Sequence, residues 1–404
     1  MPPQRRATSW TEIFLVFLRL GCTSFGGPIA HLGYYQRELI ERRSWCSKET
    51  YAELIALAQS LPGPASSQTG FALGLLRGGL PGGFAAWIGF TLPSALLMFA
   101  FAFGHSLFTG PIALRALHGL ELVAVAIVAQ AVVSMQRSLA PNPTRIAIAI
   151  AATAITLFLP TAFATLLAIS SGLIAGLLFC RKESAQPLAQ DVEAPPSPIS
   201  RTTGLVAATL FFVLLLGSEL PSRTHAAALP TLAAAFYRSG ALVFGGGHVV
   251  LPLLEAAVVS PNWLPQPTFL AGYGAAQALP GPLFTFAGYL GASIGIPSHH
   301  ASLYSLTALL GIFLPGLLLM LAILPFWNTL RTRPNLRSAL RGINASVVGV
   351  LFAALIRPLA TTALHSFADV LFTLAALALL ITARAPTWAI VLAGALLCSL
   401  IPAL

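Results

Sequence analysis

Phe25-Gly26-Gly27-Pro28 and Phe244-Gly245-Gly246-Gly247 are the stretches on which the reading of this chain turns. Each lies inside a long apolar run, six residues after the start of an arginine-led approach, Arg19 in one case and Arg238 in the other. A second phrase also comes twice: Ala58-Gln59-Ser60-Leu61-Pro62-Gly63-Pro64 and Ala276-Gln277-Ala278-Leu279-Pro280-Gly281-Pro282. Fainter echoes follow in the same order, Leu92-Pro93 with Leu314-Pro315 and His118-Gly119-Leu120 with Arg341-Gly342-Ile343. The chain is therefore two copies of one unit. Each copy sets glycine and proline in the middle of apolar segments, where they interrupt helices. In a membrane chain, interrupted segments at matching places in two halves are the best sequence pointer to a transport site.

Composition supplies the membrane. Of 404 residues, 56% are hydrophobic and 8% charged, against about 25% charged in a soluble domain. The apolar runs are long and joined by short polar links, the pattern of helices rather than of alternating strands. The expected fold is an all-α polytopic membrane protein lying in the lipid bilayer. The formal net charge of +10 belongs to loops beside apolar spans, which reads as positive-inside anchoring and not as nucleic-acid binding. It also suits an anionic substrate. Cys22, Cys46, Cys180 and Cys398 are scattered, which argues against a disulfide framework or a zinc site. Arg5 and Arg6 precede the first apolar run as in a signal peptide, but a repeat motif begins inside that run, so the segment is expected to be retained.

Apolar segments are predicted near 11–33, 50–77, 82–108, 112–136, 145–159 and 162–180, and again near 228–258, 266–296, 301–327, 338–357, 363–382 and 386–403. A polar, Pro-rich stretch, 181–200, and one further apolar segment, 202–219, separate the copies. The expected units are a first repeat over 1–180, a linker with a connecting helix over 181–220, and a second repeat over 221–404. Six segments, one connector and six more invert the second copy relative to the first, the arrangement that lets one structure alternate between two faces.

One loop tests the topology. Residues 34–49 carry Arg37, Arg42, Arg43 and Lys48, whereas the matching 259–266 carries no charge. If 11–33 and 50–77 were full spans, the basic loop would fall outside. If they are re-entrant hairpins with the glycine breaks at their tips, it falls inside, and the rest of the topology is unchanged. The half-segments are short enough for hairpins: the 14 residues of 11–24 make about 21 Å of helix at 1.5 Å per residue, less than a hydrocarbon core of about 30 Å. Kinked full spans, with one exception to the charge rule, remain the alternative.

The breaks are also where chemistry is expected. Gly27-Pro28, Gly63-Pro64 and Gly281-Pro282 each place proline where a new half-helix begins; Gly247-His248 stands at the fourth. Helix N-termini expose unpaired N–H groups and partial positive charge, a ready anion site. The residues assigned to a substrate site are Arg19, Phe25, Gly26, Gly27, Pro28, Gln59, Pro62, Gly63 and Pro64, with Arg238, Phe244, Gly245, Gly246, Gly247, Gln277, Pro280, Gly281 and Pro282. Arg19 and Arg238 fit a tetrahedral oxyanion, since guanidinium forks match paired oxygens; the plainer reading is snorkelling toward an interface. Gln59 and Gln277 either donate to the anion or bond neighbouring helices. Ser66, Ser67 and Thr285 follow the breaks and are placed to cap or donate. Glu53, Glu121, Glu255 and Asp369 are the carboxylates in or beside apolar runs, candidates for ion pairs or proton relay. Glu121 aligns with Asn344, Glu53 with Ala271 and Glu255 with Gln36, so no such role is shared by the copies. His31 and His248 flank breaks and can titrate, or can be packed and hydrogen-bonded. No HExxH, phosphate loop or calcium loop is present, and no catalytic set emerges. An enzyme, a cofactor and a metal are not expected, and pumping, if any, is secondary.

At Phe25-Gly26-Gly27-Pro28 with His31, Ala58 to Pro64, Phe244 to His248 and Gln277 to Pro282, the sequence resembles the chromate ion transporter family in its long two-domain form, over nearly the whole chain. The resemblance implies a bacterial inner-membrane protein, with two homologous halves in opposite orientation, that exports chromate and confers resistance. An exchanger or importer of sulfate or a related oxyanion is the alternative. A homodimer is left open. Glu121, where copy two has Asn344, departs from the repeat symmetry.

Overall fold

The computed structural model describes residues 9–107, 110–159, 164–181, 198–219, 228–244, 249–330, 333–382 and 386–400. Among them the regular structure is entirely helical, with no strand. The first copy contains α1 (Trp10–Thr23), α2 (Gly27–Tyr35), α3 (Lys48–Ser60), α4 (Ala65–Leu107), α5 (Pro111–Leu139), α6 (Pro143–Phe158) and α7 (Ala164–Phe179). A connecting helix, α8 (Arg201–Gly217), follows. The second copy contains α9 (Leu229–Ala241), α10 (Val250–Val258), α11 (Gln266–Ala278), α12 (Phe286–Gly295), α13 (Ala301–Ile323), a short α14 (Trp327–Leu330), α15 (Pro334–Ala354), a short α16 (Thr361–Ala363), α17 (Phe367–Ile381) and α18 (Thr387–Leu400).

Polar caps start several of these helices. Ser9 caps α1 by accepting from the Thr11 N–H, and Ser47 caps α3 by accepting from Thr50. Ser366 and Asp369 form a reciprocal capping box on α17. Each cap satisfies backbone donors that the first turn leaves open.

The first two broken segments are hairpins, not kinked spans. α1 is 14 residues long, about 21 Å, too short to cross the core. It ends at Ser24, and Gly26 and Gly27 turn the chain at φ 98° and 78°. α2 then runs back, continued by a π-helical stretch over Gln36–Arg42. The Arg43 guanidinium that follows lies 3.5 Å from Glu12 at the start of α1, so the segment leaves on the side where it entered. The second hairpin repeats the device. α3 ends at Ser60, Gly63 turns at φ 120°, and the first limb of α4 returns until Arg77 sits over the Trp45 ring, 5.8 Å from its centroid. Trp45 just precedes α3. The basic loop 34–49 therefore shares the face of the N-terminal end of α1. At Gly78 and Gly79 the helical angles fail, and the second limb of α4 folds against the first, with the Phe71 and Phe84 rings 5.5 Å apart.

The second copy is built alike. The Tyr289 hydroxyl of α12 donates to the Thr268 carbonyl near the start of α11, 3.0 Å away, so α12 runs back along α11. α12 then turns into α13, with Gly291 and Gly295 packed on Tyr304 and Ala301.

The copies exchange their ends. α5 of the first packs on α17 and α18 of the second, and α15 of the second packs on α6 and α7 of the first. The contacts are glycine to glycine. Gly119 meets Gly394, and Gly342 meets Gly172 and Gly176. Lipid is as apolar as leucine, so van der Waals fit holds such helices together, and small residues let their backbones approach. Among the described residues, Leu114–Leu139, Ala301–Phe326 and Pro334–Ala363 are helical stretches long and apolar enough to cross a membrane, and so in composition is Ala65–Gly104, which the break at Gly78 and Gly79 divides into two limbs. Outward leucines and phenylalanines such as Leu96, Phe158, Leu178 and Leu306 complete the surface of a multi-pass membrane protein.

In a cysteine-free background, R42C is expected to be labelled by an impermeant thiol reagent from the face that bears the N-terminal end of α1, and N262C from the opposite face. Labelling of both from one face would contradict the hairpins.

Candidate functional site

Backbone turned at mid-depth has N–H and C=O groups that neither helix satisfies, and lipid offers no partner. Here the two copies satisfy each other. The Gly63 N–H donates to the Val243 carbonyl at 2.7 Å, and the Gly281 N–H donates to the Ser24 carbonyl at 2.9 Å. Ser24 and Val243 are equivalent positions, each directly before a Phe-Gly-Gly. Gly63 and Gly281 are equivalent too, at φ 120° and 94°. The bonds are thus one contact made twice about an internal two-fold, and they bring all four interrupted segments to one crossing.

Close packing surrounds it. A Cβ on Gly63 would lie 2.9 Å from the Gly316 α-carbon, and one on Gly281 would lie 2.7 Å from the Ser94 Oγ. Ser94 and Gly316 are again equivalents, each following the proline within a long helix. The Gln68 amide fastens the arrangement, donating to the carbonyls of Pro62 at 2.9 Å and Gly316 at 3.0 Å.

The lining of the crossing is not symmetric. On the first-copy side Ser24, His31, Ser66, Ser67, Gln68, Thr91 and Ser94 are all buried. Where repeat register places Val243, Val250, Phe284, Thr285, Phe286, Phe313 and Gly316, the second copy presents a mostly apolar wall. The hydroxyls of Ser24, Ser67 and Thr91 have no protein partner. A buried hydroxyl without a partner costs about 1–3 kcal/mol, and these three belong to the segments that meet at the crossing. His31 is 1% exposed; its Nδ1 lies 3.3 Å from the Ser66 Oγ and its ring stands edge-on to Phe90. Beside these groups lie the N-terminal ends of α2 and α4.

The residues named from sequence are distributed as follows. Gly26, Gly27 and Pro28 form the first turn of α2, with the Phe25 ring against Trp388 at 6.3 Å. Pro62, Gly63, Pro64, Pro280, Gly281 and Pro282 are buried at the crossing. Phe244 is half-buried beside Val243, while Gly245, Gly246, Gly247 and His248 lie outside the described residues. Gln59 is exposed on α3 and Gln277 is half-buried on α11. Arg19 is on the exposed side of α1. Arg238 reaches to the end of α8, donating to the Ser218 carbonyl at 3.0 Å and lying 3.4 Å from Glu219. Glu53 accepts from the Trp327 indole at 2.8 Å, Glu255 is buried on α10, and Glu121 faces His118. Sequence reasoning passed over Ser24, Gln68, Thr91 and Ser94, whose one signal is that polar residues stand where the other copy has Val, Phe, Phe and Gly. A cleft of about 170 Å³ runs along α3 past Glu53, Ala56 and Ser60, walled by Arg337 and Leu340 of α15. Its lining includes Ser60, the residue directly before the Leu61–Pro64 break.

Substituting either crossing glycine should be costly. An L-residue in a left-handed conformation costs about 1–2 kcal/mol before any crowding. G63A and G281A are each expected to lower the melting temperature in detergent, while G217A, which faces open space, should not. Unchanged melting in both crossing variants would contradict the packing.

Comparison with known proteins agrees with this construction. The family model described as Chromate transporter matches residues 11–180 and again 230–399. The chain is 27% identical over 374 residues to a "Probable chromate transport protein" of Synechococcus elongatus, covering 92% of this chain and 90% of that one. It is 27% identical over 393 residues to a "Chromate transport protein" of Cupriavidus metallidurans, covering 96% and 92%. A "Chromate transport protein" of Pseudomonas aeruginosa is 27% identical over 350 residues, covering 86% and 80%. No solved structure matches the chain. Two matches to one family unit, meeting at a shared crossing of broken helices, place this protein in the chromate transporter family, whose members are membrane transporters and not enzymes.

Proposed function

We propose that the chain is a secondary transporter that carries chromate out of the cytoplasm and so confers resistance to it. The observation that carries this reading is the crossing itself. Helix N-termini and partnerless buried hydroxyls converge there, and such donors suit a tetrahedral dianion. The names of the relatives supply the substrate. The setting we propose is a bacterial inner membrane. The face shared by Arg37, Arg42, Arg43, Arg77, Arg181, Arg333 and Arg337 would be cytoplasmic, because basic loops stay on that side.

The direction follows from charge. Moving one charge through 100 mV is worth about 2.3 kcal/mol, so a dianion leaving a negative interior gains about 4.6 kcal/mol. Export is downhill electrically without a coupling ion. In the arrangement described here the Gly63 and Gly281 contacts close the crossing, and their parting on one side or the other would open it to one face. Arg337 and Glu53 line the cleft by which the anion would approach from the cytoplasmic side. The first copy would hold the oxygens and the apolar wall of the second would seal behind them. Arg19, exposed on α1, and Arg238, held at the end of α8, would draw the dianion toward the crossing through their charge without contacting it there. The alternative, exchange or import of sulfate, shares this charge and shape.

Inside-out membrane vesicles provide the test. Under an imposed potential they are expected to accumulate chromium as Cr(VI), with sulfate in excess leaving uptake largely intact; equal competition by sulfate would favour the alternative. S67A and T91A should raise the half-saturating chromate concentration several-fold at unchanged protein level, whereas F284L should change it little. The double substitution R19Q/R238Q should abolish uptake with the protein still present in the membrane. Full uptake in that variant would remove both arginines from the mechanism.

A further inference from the structure

Away from the crossing, the copies also meet through charged groups at the contact of α5 with α17. His118 of α5 turns its Nε2 to the Asp369 Oδ1 at 3.1 Å, and its Nδ1 lies 3.7 Å from the Glu121 carboxylate one turn on. The other Asp369 oxygen, Oδ2, is already engaged. It accepts the backbone N–H groups of His365 at 2.9 Å and Ser366 at 2.8 Å. This fixes the carboxylate so that Oδ1 points at His118. The His365 ring lies beside that of His118, with centroids 5.9 Å apart. One donor atom from each of His118, His365 and Asp369 falls within 4.8 Å of the others.

From this geometry we infer a binding site for a divalent transition-metal ion of the zinc type, bridging the two repeats. Two imidazoles and one carboxylate are a ligand set that zinc accepts, with a water completing four-coordination. Zinc bonds of about 2.0–2.1 Å set tetrahedral ligand atoms about 3.4 Å apart, so the three donors need only a small side-chain closure. The orienting shell is also present. A metal-bound imidazole commonly gives its second N–H to a carboxylate, which fixes the tautomer, and Glu121 stands at that nitrogen of His118. Glu121 is 7% exposed and Asp369 is 3% exposed, whereas His365 is exposed and opens the group to the surface. Arg341 occupies the position equivalent to His118 in the second copy, so the site exists once and not twice. A bound ion would fasten α5 of one repeat to α17 of the other, on the face opposite the basic loops. This assignment is independent of the oxyanion reading.

The full-length protein in detergent, titrated with zinc(II) by calorimetry and with cobalt(II) by visible absorption, tests it. One equivalent should bind, and the melting temperature should rise with zinc. H365A changes an exposed ring, so the fold should persist, and its affinity should fall at least tenfold. H118A should fall at least as far, and E121Q should lose about 10–100-fold, the range for an orienting carboxylate. The double variant H299A/H300A, on the same face, should bind as the parent does. Absence of stoichiometric binding, or binding that survives both H365A and H118A, would reduce the cluster to an ion pair between helices and overturn the site.

Discussion

Two backbone hydrogen bonds, Gly63 to Val243 and Gly281 to Ser24, are the constraint around which this protein is organised. A hairpin that stops halfway through a bilayer leaves polar backbone where no water can reach it. One repeat alone cannot supply the missing partners, because its own breaks are the problem. The second repeat, inverted, brings the same unsatisfied groups to the same depth from the other side. Duplication and inversion therefore solve the backbone problem and create the crossing in one step. The exchange of α5 with α17 and α18, and of α15 with α6 and α7, holds the two halves together outside the crossing.

Symmetry in the backbone coexists with asymmetry in the side chains. Phenylalanines at 284, 286 and 313 stand where the first copy has Ser66, Gln68 and Thr91. A symmetric scaffold can close on either side, while an asymmetric lining gives the two copies different work. In the proposed reading one would offer hydrogen bonds, and the other would exclude water and so strengthen them. The three partnerless hydroxyls of the polar side would be expensive to keep buried if nothing polar ever met them.

Much of this was legible in the chain. Pro and Gly in repeat register marked the breaks, because few other residues interrupt apolar helices so plainly. The charge on residues 34–49, set against its absence from 259–266, pointed to hairpins over kinked spans; Glu12 with Arg43 and Arg77 with Trp45 supply the contacts. The exchanged helices were not legible. Gly119, Gly172, Gly342 and Gly394 announce close packing but not the partner, since glycine is common in any membrane helix. The arginines drew attention because a charge in an apolar run is conspicuous, yet Arg238 is engaged at the end of α8 and Arg19 lies on an exposed face. The lining was quiet for the opposite reason. Serine and threonine in an apolar helix can satisfy themselves on the preceding turn, as Thr69 does on Ala65, so their presence alone says little. A search for features shared by both copies could not find groups that belong to one.

The central claim is that a doubly negative oxyanion rests where the broken segments cross. Anomalous diffraction at the chromium absorption edge, from crystals of the protein with chromate, locates the ion directly. The peak is expected among Ser24, Ser67, Thr91 and the Gly281 backbone. A peak only at surface arginines such as Arg201 and Arg333, in a protein that still transports, would contradict the account.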